Sequence, residues 1–348
     1  MGGAAFSSGC FGKLPLAADF LQHQAVGPAA RAFMNWCEMG VRLLAERHGS
    51  AAETLLTNMP PLGFVFSETR PSEFLVGRMV AGRDASGRRF PFSIFLRGSG
   101  MKSVSFGALA GACGPFFAEA DRILAADSSA PAALFAAIDA LPAQAPDGRK
   151  VDRGALEDYL GRMPVSSTAA MEPAARDLAR LVSRGRQFPP MALRFPLQPD
   201  APAEPWVAFW LGLVEEAFGR TAVATAFWTV DSRAPAVETG AGGSEPRAAE
   251  AGTRLTAPGA RLAHLDLMAG PPEPIAFLHL IDSGFESNRL MILGDGSAEG
   301  GRKPASGGQE ESQRAAGGGE AEARPLLEPA QDLAEVWKGA VARLGAGR

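Results

Sequence analysis

Reactive side chains are scarce in this sequence. The 348 residues include four histidines and three cysteines. His23, His48, His264 and His279 show no i, i+4 pairing, and none lies near a cysteine in a zinc-ligand pattern, so a structural role is expected for each and no metal site is expected. Cys10, Cys37 and Cys113 are odd in number and far apart, which fits neither a disulfide framework nor a CxxC pair and suits a reducing compartment. Cys37 falls on an apolar helical stripe, which marks it for packing and not for nucleophilic chemistry. No GxSxG elbow occurs. The stretch Ser7–Leu14, SSGCFGKL, imitates the end of a phosphate-binding loop, yet Ser7 replaces the first glycine and Leu14 stands where a Ser or Thr should hold magnesium. The favoured reading is a glycine-containing turn before a helix. Trp206, Trp210 and Trp228 could line an aromatic box, but their periodicity places them in the core first. No catalytic set and no cofactor are expected.

Two clusters survive this pruning. The first is Gly9–Phe20, GCFGKLPLAADF, with Gly12, Lys13, Pro15, Asp19 and Phe20. The second is Asp84–Pro91, DASGRRFP, with Gly87, Arg88, Arg89 and Phe90. Each gathers turn-forming residues, charge and an aromatic ring. Asp84 and Arg88 can pair across a turn, and Arg88 or Arg89 can pair with Asp19 if the segments meet. Two uses remain open: the residues simply shape one turn and one loop, or they form a recognition patch. A third use, a small phosphate-handling hydrolase, requires Asp19, Asp84 and Arg88 to converge in a concave pocket.

The elements that must position these clusters follow from periodicity. Gly27–Pro28 starts a helix carrying Phe33, Trp36, Cys37, Val41 and Leu44, and Gly49 stops it. Strands are expected at Leu62–Phe66, Glu73–Val80 and Arg88–Arg97, the last with Phe90, Phe92, Ile94 and Leu96 on one face. Asp84 to Gly87 has the pattern of a type I turn, which makes a hairpin. Helical patterns follow at Phe106–Ala126, bent or restarted by Pro115, and at Pro131–Leu141, Asp152–Leu160 and Ala170–Ser183. Met191–Leu197 reads as a strand, Pro205–Phe218 as a helix ended by Gly219, Ala222–Val230 and Arg261–Met268 as strands, and Pro274–Ile281 as a helix. Between Ser232 and Ala260 the large aliphatic residues are Val237 and Leu255, and from Gly294 to Arg324 there are none. Neither stretch can offset chain ordering, so an inserted loop and a flexible tether are expected. Beyond the tether, Leu333, Val336, Trp337, Val341 and Leu344 form one helical stripe that must dock on this chain or another.

Composition excludes several classes. With 34 basic and 38 acidic residues the net charge is −4, which argues against nucleic-acid binding by bulk charge. No signal peptide is visible, and the longest charge-free run, Ser103–Ala118, falls short of a bilayer span. A soluble, cytoplasmic chain without membrane insertion is expected. Gly 41 and Pro 27 require substantial loop content, while the 46% apolar share suffices for a core.

At the two clusters the sequence resembles the TagF (ImpM) family of type VI secretion system-associated proteins. Gly9, Phe11, Gly12, Lys13, Leu14, Pro15, Asp19 and Phe20 match a family motif close to GFFGKLPxxGDFVxR, with Ala18 in place of its second glycine. Asp84, Gly87, Arg88, Phe90 and Pro91 match PSxDxxGRxFP, with Ala81–Gly82 in place of Pro-Ser. Trp36 matches a Trp-bearing helix between them, and Phe227–Trp228 and Gly270–Phe277 are similar to later family segments. The resemblance implies an α/β fold, a three-layer αβα sandwich with a mixed, largely antiparallel sheet and helices on both faces. One domain is expected over 1–295, with a motif-bearing half 1–125 and a looser half 126–295. The family does not account for the interruption near 232–260, the disordered linker 296–325 or the amphipathic helix 326–348, which composition and periodicity alone predict. The resemblance also implies a non-enzymatic repressor of type VI secretion that acts after translation through the system's forkhead-associated scaffold protein, with other secretion components as further partners. A structural assembly factor is the alternative. Gly12, Lys13, Asp19, Asp84, Gly87 and Arg88 become the expected partner-binding surface, supported from below by Pro15, Phe20, Phe90 and Pro91.

Overall fold

A strand that is apolar at odd and even positions alike needs cover on both faces. Leu62–Phe66 is buried at every position, and six of the eight residues of Glu73–Val80 are buried. The computed structural model, which describes residues 5–68, 73–99, 105–126, 128–142, 165–184, 188–198, 202–219, 222–230 and 263–294 apart from 283 and 286, supplies that cover with a three-layer α/β arrangement. The strands are β1 (Ala5–Gly12), β2 (Leu21–His23), β3 (Leu62–Phe66), β4 (Glu73–Val80), β5 (Phe92–Ser99), β6 (Ala192–Pro196), β7 (Thr225–Thr229), β8 (His264–Met268) and β9 (Leu290–Ile292). They form one sheet in the order β2-β1-β5-β4-β3-β7-β8-β6-β9. Every neighbouring pair runs antiparallel except β6 and β9.

Alternation along the strands feeds two cores. Phe74 and Val76 of β4, Ile94 and Leu96 of β5 and Trp228 of β7 point to one face. There they meet α3 (Phe106–Ala112), α4 (Gly114–Ala125), α5 (Pro131–Asp139), α6 (Val165–Arg184) and α7 (Ala203–Phe218). Leu75 and Met79, Phe95 and Phe227 point the other way, onto α1 (Pro28–His48), α2 (Ala51–Thr57) and α8 (Pro274–Ile281). The α1 stripe buries Phe33, Trp36, Cys37 and Leu44. Trp36 stacks on Phe227 at 4.8 Å between centroids, and its indole N–H donates to the Glu273 carbonyl at 3.2 Å. The start of α1 has no cap from its own residues; the Glu73 carboxylate on β4 accepts from Ala29 N–H at 2.9 Å. A negative charge there also suits the helix dipole.

Several expectations need correction. Ser7–Leu14 is no turn leading into a helix: most of it is β1, paired along its whole length with β5. The third expected strand begins at Phe92 and not at Arg88, and Phe90 joins the core opposite to Phe92. Pro91, which has no N–H to give a ladder, marks the change of direction. The helix from Phe106 is, by contrast, restarted at Pro115 as expected: it breaks at Cys113, and Pro115 lies in the first turn of α4. α6 begins at Val165 and carries Pro173 inside it. α2, β2 and β9 were not anticipated; the two strands have three residues each, too short for a period to show. The expected helix at 152–160, the insertion at 232–260, the linker at 296–325 and the helix at 326–348 lie outside the described residues.

The packing of α1 on α8 explains one glycine. A Cβ on Gly40 of α1 would lie 2.4 Å from Cγ of Phe277 on α8. Gly40→Ala is expected to cost about 1–3 kcal/mol in denaturant unfolding through overpacking. Gly114→Ala, which meets nothing within 4 Å, is expected to be neutral or stabilising by up to about 1 kcal/mol.

Candidate functional site

The two sequence clusters meet at the end of β1. Gly12 closes that strand at φ +134°, where a Cβ would sit 2.0 Å from the Pro91 carbonyl oxygen, so only glycine lets the chain pass. The next residue, Lys13, turns inward. Its Nζ lies 3.0 Å from Oδ2 of Asp84, with side-chain exposures of 8% and 0%. Asp84 opens the expected turn, in which Gly87 N–H donates to the Asp84 carbonyl at 2.9 Å and Asp84 N–H donates to the Arg88 carbonyl at 3.0 Å. Gly87 holds φ +92°. On Oδ1 the carboxylate accepts from Ser86 N–H at 3.0 Å, Ser86 Oγ at 2.6 Å and Arg88 N–H at 2.9 Å. On Oδ2 it accepts from Lys13 Nζ and, at 2.7 Å, from Arg88 Nε.

The same turn staples the 13–20 loop. The Arg88 Nη2 donates to the Ala18 carbonyl, and Ala85 N–H donates to the Ala17 carbonyl at 2.8 Å. Phe20 stacks on Phe11 at 5.3 Å and meets the edge of Phe90 at 4.8 Å. The Lys13 ammonium lies 4.8 Å from the centre of the Phe20 ring. Asp19 folds back on its own loop and accepts from Phe20 N–H at 2.8 Å.

Burial pushes the Asp84 carboxyl up, but hydrogen bonds from Ser86, Lys13 and Arg88 outweigh it and hold the group well below the usual carboxylate range. Asp84 is therefore ionised at neutral pH with both oxygens occupied by donors. Such a carboxylate has no lone pair to spare for a nucleophile or base. Its chemistry here is to fix geometry.

The structure brings the two clusters together and sorts their members by depth. Gly12, Lys13, Asp84, Phe90 and Pro91 are buried, whereas Pro15, Asp19, Gly87 and Arg88 are exposed. Phe20, expected below the surface, is 38% exposed and belongs to the surface itself. The expected Asp84–Arg88 pair forms. The alternative pairing with Asp19 does not: Arg88 is held by Asp84 and Ala18, and Arg89 faces Glu53 at 3.9 Å.

Other charged groups escaped the sequence reading. Arg78 on β4 is buried, pairs with Asp121 at 3.0 Å and Glu204 at 2.7 Å, and lies 4.2 Å over the Phe117 ring. Arg194 holds Asp266 through two 2.7 Å bonds. The available signal was a lone charge inside an apolar strand, as in FLVGRMV and HLDLM. The thiols are quiet: burial pushes Cys10 and Cys113 up to about 12 and Cys37 well above its ordinary value. His23 bonds Asp139 at 2.7 Å and stacks on Phe135, and His48 pairs with Asp282 at 3.3 Å. Among the described residues no group of three or more His, Cys, Asp or Glu could hold a metal ion. Nor is any helix among them long and apolar enough to cross a membrane.

Fold and site define a three-layer α/β protein whose motif-bearing loop is locked by a buried, charge-paired aspartate. Residues 9–141 match the family model of the TagF N-terminal domain, type VI secretion system-associated. Both sequence motifs lie within this matched segment, so the resemblance drawn from them is matched there. No curated protein matches the chain. Among solved structures, the crystal structure of PA0076 from Pseudomonas aeruginosa PAO1 is similar at 16% identity and a TM-score of 0.48, covering 82% of this chain and 98% of that one.

Two outcomes test the electrostatics. Because the folded carboxyl of Asp84 sits below its unfolded value of about 3.9, its stabilisation is complete above about pH 4 and disappears as pH falls through the folded value. Thermal melts of Asp84→Asn should show lower stability at pH 7 and a flatter dependence below pH 4 than the parent. All three cysteines should resist a thiol-reactive dye at pH 8 until denaturant is added.

Proposed function

We propose that this protein is a non-enzymatic, post-translational repressor of a type VI secretion system, acting in the cytoplasm by contact with the system's forkhead-associated scaffold protein. The observation that carries this reading is the saturation of Asp84: the best-formed polar constellation in the TagF segment is consumed in holding a loop, which is what a rigid recognition handle requires. Phe20, Asp19, Gly87 and Arg88 form the presented surface, while Gly12, Lys13 and Asp84 hold it from below. An aromatic beside an arginine is the composition of an interface anchor. Charge then supplies specificity more than raw affinity.

The hydrolase reading lacks comparable support. Asp84 has no free lone pair, Asp19 is turned onto its own loop, and neither they nor Arg88 line the cleft of about 230 Å³ beside α8.

Pull-down with the scaffold protein of the same cell tests the proposal. Phe20→Ala and Arg88→Ala should each weaken capture at least about tenfold with circular dichroism unchanged. Unchanged capture by both folded variants would remove the surface assignment. Deleting the gene should raise export; loss of export would instead establish an assembly factor.

A further inference from the structure

The cleft beside α8 has no place in the regulatory reading, and its chemistry is specific. Its volume is about 230 Å³, and Met268, Ala269, Pro271 and Ile275 contribute apolar wall. Glu273 and Arg289, also at the lining, lie 3.8 Å from each other and so answer each other's charge. One lining residue is left wanting. His279 is 3% exposed, and its Nε2 is 2.8 Å from Ser287 Oγ, yet its buried Nδ1 has no hydrogen-bond partner. Burial holds this imidazole below its ordinary pKa, so the ring is neutral and one nitrogen is an acceptor. An unpartnered buried polar atom is costly. The cleft therefore suits a bulky apolar group carrying a single polar atom, and does not suit an ion.

The chain itself offers such a group at a suitable place. β9, the edge strand, pairs with β6, and its Leu290 is in register with Ala192, which also lines the cleft. The described structure ends two residues after β9, at Gly294. Beyond it, residues 295–348 contain a single aromatic residue, Trp337, at the centre of the stripe Leu333, Val336, Trp337, Val341 and Leu344. Trp337 stands 43 residues after Gly294, a separation for which a random coil would have a root-mean-square span of roughly 35 Å. That reach favours docking within the molecule through a high effective concentration. An indole combines a large apolar body with one N–H donor.

We propose that the C-terminal stripe docks on its own domain, with the Trp337 indole filling the cleft beside α8 and its N–H answering Nδ1 of His279. The full chain labelled with 5-fluorotryptophan tests this by fluorine NMR. The sequence holds five tryptophans, and Trp36, Trp206, Trp210 and Trp228 are buried, so their four signals report the fold in every variant. Trp337→Phe assigns the fifth signal. It should be displaced from that of a synthetic 326–348 peptide, and Ala269→Arg, at an exposed wall position, should return it to the peptide value while the other four stay put. Pro271→Arg is the second blocking variant should the first disturb them. Three results would overturn the proposal: a Trp337 signal matching the free peptide, a displaced signal insensitive to both blocking variants, or a displacement lost on hundredfold dilution, which would place the indole in a second copy.

Discussion

A carboxylate withdrawn from water must recover from the protein the hydrogen bonds it surrenders. Asp84 does so with donors from two stretches of chain far apart in sequence. Those donors fix where the 13–20 loop can lie, because Lys13 belongs to the loop and Arg88 reaches across to the Ala18 carbonyl. The two partners of the pair are not equivalent. Removing Lys13 would still leave Arg88 on Oδ2, but removing Asp84 would strand a nearly buried ammonium beside an aromatic ring. A buried pair of this kind is better evidence for a specified geometry than for net stability.

Around this point the glycines admit backbone where side chains would collide. A Cβ on Gly82 would approach the Lys13 carbonyl oxygen at 2.3 Å, and one on Gly12 would strike the Pro91 carbonyl. The loop and the turn therefore touch through backbone as well as through charge. Ala81–Gly82 stands where the family motif has Pro-Ser, and in this chain the small residue at position 82 is required by the packing.

How much could be read from the sequence depended on what the physics left in it. Strongly apolar or periodic elements were legible: the α1 stripe, the pair of strands at 62–66 and 73–80, and α8 all lie where the sequence pattern placed them. The turn at Asp84 was legible as well, because turn chemistry is local. β1 was not. Its residues, AFSSGCFG, are small and glycine-rich, and what makes them a strand is their pairing with β5 some ninety residues away. Depth was equally hidden: Lys13 looks like a surface cation until its partner is known, and Phe20 looks like core until the loop is seen to end at the edge of the sheet. Arg78 shows the same limit. Its strand context is apolar, and the carboxylates that pair with it come from two helices.

The ties across β3 and β4 bear on where an inherited segment ends and a foldable body begins. β3 lies inside the segment that matches the TagF N-terminal domain model, yet its other ladder partner is β7, far beyond residue 141. Arg78 leans on Glu204, and Trp36 rests on Phe227 and Phe277. Cutting the chain after residue 141 would bare an open edge at β3, uncover an indole and leave the Arg78 guanidinium with Asp121 but without Glu204. The segment that the family model matches is thus smaller than the sheet and the two cores it helps to build, and strands and helices beyond residue 141 complete both.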